Sequence, residues 1–180
     1  SQSFSEYTPA INKSDIEKYF IKDSGINLLV FVNGHYDKKL SHIETKNENV
    51  FIGSFSDGMN DHKDIIEKHF GKYASYNKNG FIAVNTAFAK DGCFIYVKKN
   101  QEVKEPVHIL NISDAQSESY FSQLRNLIIV EEGGSINIVN DYHTIGNEKC
   151  FTNVVTEIVC GMNSKVEHYK IQNDSENSYH

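Results

Sequence analysis

The sequence predicts a mainly β protein: a β-helical solenoid over residues 81–180, preceded by a short α/β segment over residues 1–80. Three observations predict it. From residue 81 onward apolar, β-branched and aromatic runs recur at "FIAVNTAF", "CFIYVKK", "VHILNIS", "NLIIVEE", "SINIVNDYH", "CFTNVVTEIVCG" and "SKVEHYKIQ", separated by Gly, Asp, Asn and Ser. Their connections alternate between very short and rather long, unlike the even hairpin spacing of a sandwich. An offset of about 30 residues also lays "LIIVEEGGSINIVNDY" over "EIVCGMNSKVEHYKI", and repeats of about 20–50 residues are the mark of stacked coils. In that register Ile128, Ile129 and Ile136 fall on Ile158, Val159 and Val166, and the Gly133-Gly134 turn falls on Asn163-Ser164. "TAFAKDGCFIYV" has the same outline and reads as a third copy with its corner at Gly92.

Within the lead-in segment, "NKSDIEKYF" predicts a helix, because Ser14 and Glu17 have the spacing of a capping box. Ile16 and Phe20 then share a face. The run "INLLVFV" is a strand, and Asn33-Gly34 tolerates the positive φ values of a tight hairpin turn. In "DHKDIIEKHFGKY" a second helix is expected, with Asp61 as N-cap, Asp64 in the first turn and Gly71 as the left-handed stop. His62 and His69 lie seven apart and are read as structural or solvent-facing. From residue 81 the whole remainder, "FIAVNTAF" included, is read as strand.

Charge and cysteine usage exclude several functions. The net charge is −6, with 18 Lys plus Arg against 24 Asp plus Glu, and no basic run gathers to follow a phosphate backbone, so nucleic acid is not an expected partner. Three cysteines at 93, 150 and 160 fit neither a disulfide framework nor a zinc module. The opening "SQSFSEYTPA" lacks a basic n-region with an apolar run behind it, and no stretch approaches the roughly 18 apolar residues of a membrane span. A reducing, cytoplasmic location off the membrane is expected. Sequons at Asn12, Asn111 and Asn173 are accordingly set aside.

No Walker A, G-x-S-x-G, H-E-x-x-H or G-x-G-x-x-G motif is present. Asp141 and His143 alternate with Tyr142 and could exchange protons, but no nucleophile stands at a readable distance. Under the 30-residue register Cys160 falls on Val130, a wall position, and is expected to be buried. Cys93 and Cys150 begin strands and are expected to be partly exposed. His168 falls on Ile138, with the inward-looking set, and reads as a core histidine. Catalytic, cofactor-binding and metal-ligating residues are therefore expected to be none; Cys93, Cys150, Cys160 and His168 read as wall.

The ordered series N-T-A-F (85–88), D-G (91–92), Y-V (96–97), Glu105-Pro106, V-E-E (130–132), F-T-N-x-x-T-E-I (151–158) and H-Y-K-I-Q (168–172) resembles the SufB/SufD family, scaffold proteins of the SUF iron–sulfur cluster assembly system. "LVFVNGHYDKKLS" and "HKDIIEKHFGKY" resemble the segment preceding the β region in the SufD branch of that family. The resemblance implies a right-handed parallel β-helix and a non-catalytic subunit of a cytoplasmic complex. Its partners would be a SufB-type scaffold and a SufC-type ATPase, the cluster being handled by the assembled complex and no cofactor by this chain. It also implies an internal fragment, truncated at the C-terminus within the β-helix: family members carry a helical region before "LVFVNG", and further coils, a K-C-S-H-G-type segment and an ATPase-binding helical part beyond His180. None of the family's functional residues transfers to a position here. An open coil end exposes unpaired strand edges, so self-association as a homodimer is expected of the isolated chain.

Two other classes remain open on the residues alone. A β-helical carbohydrate-active enzyme would need Asp or Glu clustered on successive coils. A mononuclear metal protein would use the Cys and His side chains.

Overall fold

The computed structural model describes residues 11–22, 25–74, 79–89 and 91–180; the reading of "SQSFSEYTPA" lies outside them. In chain order the elements are α1 (Lys13–Ile16), β1 (Asn27–Val32), β2 (His35–Tyr36), β3 (Val50–Ser54), α2 (Phe55–Asp61), α3 (Lys63–His69) and α4 (Gly80–Phe88). They continue as β4 (Cys93–Val97), β5 (Val107–Ala115), β6 (Tyr120–Val130), β7 (Ser135–Gly146), β8 (Cys150–Cys160), β9 (Lys165–Asn173) and β10 (Ser178–Tyr179). The fold is mainly β. Its strands form two five-stranded sheets, β2-β1-β5-β7-β9 and β10-β8-β6-β4-β3. From β4 onward consecutive strands alternate between the sheets, and each pairs in parallel with a same-sheet strand two places away in chain order.

The register matches the repeat read from the sequence. Ile128 lies beside Ile158, Ile129 beside Val159 and Val130 beside Cys160 on β6 and β8; Ile136 lies beside Val166 and Ile138 beside His168 on β7 and β9. Asn100, Gly133 and Asn163 all have positive φ (58°, 68° and 57°), and Asn100 N–H donates to the Glu132 carbonyl while Gly133 N–H donates to that of Met162. These corners stack because each turns the chain between sheets at the same height. At Gly133 a Cβ would also collide with the Asn100 side-chain oxygen.

The core lies between the sheets. Leu29, Phe31, Cys93, Ile95, Val97, Ile109, Leu124, Ile128, Val130 and Ile138 are buried there. Strand alternation sends the intervening residues outward. On one outer face Leu28, Val30, Leu110 and Ile112 pack beneath Ile11, Ile16, Tyr19 and Phe20. On the other, Phe94, Tyr96, Leu127 and Ile129 pack beneath Ile66 and Phe70 of the α2–α3 segment.

Local readings hold with shifts of a residue or two. Asn33 and Gly34 both have positive φ (50° and 80°) and join Val32 to His35 in a two-residue hairpin. The first helix is capped by Asn12 rather than Ser14: the Asp15 carboxylate accepts from Asn12 N–H at 2.8 Å. For α3 the N-cap is His62, Asp61 being the last residue of α2, while Asp64 sits in the first turn and Gly71 is left-handed (φ 70°).

One reading is corrected. "FIAVNTAF" is not a strand but helix α4. Its β-branched composition is overridden by its ends and its face: the Asn79 side chain caps Phe81 N–H at 2.8 Å, and Asn85 bonds to carbonyls of the sheet beneath. The third repeat copy is thus strand only in its second half, and β4 meets β6 at a longer offset, Phe94 beside Leu127.

Candidate functional site

The conspicuous polar construction is the seat of α4 on β6 and β8. Strand alternation points Gln123 and Arg125 of β6, and their register partners Asn153 and Val155 of β8, to the same side. Asn85 is fully buried, and its Nδ2 donates to the Leu124 and Asn153 carbonyls at 2.8 and 3.0 Å. Asn153 returns the contact, its Nδ2 donating to the Phe81 carbonyl at 2.9 Å and to Gln123 Oε1 at 2.8 Å. A carbonyl can only accept, so these bonds fix the orientation of all three amides.

Beside them lies an ion pair. Arg125 Nη2 and Nε donate to Glu157 Oε2 at 2.9 and 3.3 Å, with side chains 2 % and 1 % exposed. Arg125 Nη1 donates to Thr86 Oγ1 of α4 at 3.1 Å, and the guanidinium lies over the Phe70 ring. Glu157 further accepts from the backbone N–H groups of Gly71, Tyr73 and Ala74 at 2.8–2.9 Å. Burial works to raise the Glu157 pKa, but those N–H groups and the guanidinium outweigh it and hold the carboxyl below its usual range. The pair is a fully hydrogen-bonded clamp with no group to attack a substrate. N-T-A-F supplies Asn85 and Thr86 to it, and F-T-N-x-x-T-E-I supplies Asn153 and Glu157.

A second cluster sits on the outer face of the other sheet. Asp141 Oδ1 lies 3.0 Å from His143 Nε2, and Oδ2 lies 3.4 Å from His108 Nε2. These are ion-pair distances without aligned hydrogen bonds. Tyr19 stacks on His143 at 3.9 Å between ring centroids. Burial alone would raise the Asp141 pKa; the two imidazoles reverse this and lower it to about 2. The cluster keeps one carboxylate ionised between two imidazoles. Asp141 and His143 were legible as an alternating pair, whereas His108 enters from β5, where only its polarity within "VHILNIS" marks it.

The cysteine expectations are reversed. Cys93 and Cys150 are buried and Cys160 is exposed. Cys93 has Ser54 of β3 beside it, and its N–H donates to Asn126 Oδ1 of β6; Cys150 lies between Tyr120 of β6 and Ser178 of β10. Burial pushes both thiols up. Cys160 does lie beside Val130, but β10 flanks β8 only at Cys150 and Phe151, so among the described residues no further strand pairs with β8 at Cys160. His168 is exposed for the same reason: β9 is the outermost strand of its sheet. His62 packs against the rings of Phe51 and Tyr96, and His69 Nδ1 bonds the Tyr73 hydroxyl. Among the described residues no group of three or more His, Cys, Asp or Glu is arranged to hold a metal ion, and no helix is long and apolar enough to cross a membrane.

Comparison with known proteins agrees with the motif series. The family described as "SufBD protein N-terminal region" matches residues 3–109, and "SUF system FeS cluster assembly, SufBD core domain" matches residues 111–180. An iron–sulfur cluster assembly SufBD family protein of Synechocystis is 26 % identical over 172 residues, covering 91 % of this chain and 38 % of the relative. The iron–sulfur cluster assembly protein SufD of Bacillus subtilis is 26 % identical over 132 residues, 72 % of this chain and 30 % of its own length. A chloroplastic SufBD family protein of Arabidopsis thaliana is 27 % identical over 128 residues, 69 % and 22 % respectively. The chain thus spans between about a fifth and two fifths of the length of these relatives.

Proposed function

The chain belongs to the SufBD family of the SUF iron–sulfur cluster assembly system, and from that premise we propose that it serves as part of a non-catalytic scaffold subunit. The subunit pairs with a SufB-type scaffold and a SufC-type ATPase in the cytoplasm, and the cluster is handled by the assembled complex. The observation that carries the reading is the use made of the family's motif residues. Asn85, Thr86, Asn153 and Glu157 are spent on seating a helix and closing a buried ion pair, which is what a scaffold needs of them.

Strands alternating between two parallel-rich sheets support a right-handed β-helix over residues 81–180, with residues 1–80 as a lead-in whose strands β1–β3 extend the two sheets and whose segments around 11–20 and 55–70 pack on their outer faces. The upstream hairpin and the α3 segment favour the SufD branch. The edges of β8 beyond Phe151 and of β9, unpaired among the described residues, support self-association of the isolated chain.

The deciding experiment is affinity purification of the full-length parent protein from its own host under anaerobic conditions, followed by mass spectrometry. Recovery of a SufC-type ATPase and a second β-helical scaffold is expected. Their absence would restrict the likeness to the fold. For self-association, light scattering across a concentration series is expected to show species above the monomer mass, and a clean monomer throughout would contradict it.

A further inference from the structure

Helix α4 is inside out. Its fully buried residue is the polar Asn85, while Phe81 and Phe88 are 63 % and 64 % exposed and Val84 38 %. The amide bonds of Asn85 explain the inward face. The outward face instead walls a cavity of about 610 Å³, in which Val84 and Phe88 stand opposite the Asn33-Gly34 hairpin turn, with Phe121 and Gln123 of β6.

Gln123 makes this cavity more than an apolar dent. Asn153 must present Nδ2 to Gln123, because the same Nδ2 donates to the Phe81 carbonyl. Gln123 must therefore answer with Oε1, which turns its Nε2 away from the clamp. That Nε2 is buried and has no hydrogen-bond partner among the described residues, in a residue only 7 % exposed. Its desolvation is already a cost of the fold, so an oxygen brought to it recovers a hydrogen bond with little further penalty. The volume falls within the range of small-molecule sites, and Val84, Phe88 and Phe121 supply apolar wall while Gln123 joins Asn33, His35 and Ser122 as the polar part of the lining.

We propose that this cavity binds a small apolar or aromatic molecule bearing a carboxylate or carbonyl oxygen, which accepts from Gln123 Nε2 while its body lies between Phe88 and Phe121. The site does not depend on the SUF reading, since it rests only on residues of this chain.

The test uses 2-naphthoate as probe and 2-naphthylmethylamine as its counterpart without an acceptor, titrated into the 180-residue protein and followed by ¹H–¹⁵N NMR. Saturable binding of naphthoate is expected, with the Gln123 side-chain amide signals shifting along the same isotherm and the amine at least about tenfold weaker. Gln123→Met is expected to lower naphthoate affinity about tenfold, as removal of one hydrogen bond implies. Phe88→Ala, at an exposed position, is expected to weaken both probes. Absence of saturable binding at millimolar naphthoate, or binding that Phe88→Ala and Gln123→Met leave intact, would overturn the proposal. Should Gln123→Met disturb the seat of α4, the wild-type amide shift and Phe88→Ala still decide. A cavity that receives only a protein partner's side chain would leave the probe without effect and overturn it equally.

Discussion

Replacing Glu157 by Gln tests the α4 clamp directly. The substitution keeps size and one carbonyl oxygen, so the N–H groups of Tyr73 and Ala74 at Oε1 retain an acceptor. At the other end an NH₂ group then faces Gly71 N–H and the Arg125 guanidinium, donor against donors. Arg125, 2 % exposed, is left with a buried charge and no counter-ion. Breaking a buried pair in this way costs about 3–5 kcal/mol, a large share of the roughly 5–15 kcal/mol by which a domain is stable. Urea unfolding followed by circular dichroism should show that loss, and hydrogen exchange should show faster exchange at Gly71. The double variant Arg125→Met/Glu157→Gln removes the stranded charge, so it should be more stable than the sum of the single losses, by about 1–3 kcal/mol of coupling. A loss below about 1 kcal/mol for Glu157→Gln, or strict additivity in the double variant, would refute the claim that a buried, charge-dependent clamp holds α4.

Gly92→Ala should be among the most damaging single changes, by about 3–5 kcal/mol in urea unfolding, because a Cβ there would run into the Arg125 backbone carbonyl where β4 meets β6; a variant of near wild-type stability would contradict the packing. Of the three thiols, Cys160 should react promptly with iodoacetamide in the folded protein while Cys93 and Cys150 react only in denaturant, as counted by mass spectrometry; early modification of Cys93 would contradict the sheet order. Asp141 has a folded-state pKa lowered to about 2, so the stability it contributes is fully present above the unfolded value of about 4 and is lost as pH falls through about 2. The stability difference between wild type and Asp141→Asn should therefore be on the order of 2 kcal/mol at pH 6 and shrink toward pH 2; a pH-independent difference would show that the imidazoles do not hold the carboxylate ionised.

By itself the sequence determined the β character, the hairpin at Asn33-Gly34 and the register of the last strands, down to Val130 beside Cys160 and Ile138 beside His168. Such features are local or periodic: a turn is fixed by the φ values its own residues allow, and a repeat is fixed by equal spacing along the chain. The motif series also marked the family. Only the tertiary structure decided the rest. "FIAVNTAF" is composed like a strand, yet it is a helix because Asn85 finds carbonyls on β6 and β8, partners about 40–70 residues away that local propensity cannot register. The exposure of Cys160 and the burial of Cys93 and Cys150 followed from which strand lies alongside each, a property of the neighbour and not of the cysteine. His108 joined Asp141 and His143, and Arg125 joined Glu157, across a sheet rather than along a strand. Pattern along a chain fixes which way a side chain points; what it meets there is set by the strands and helices that the fold brings beside it.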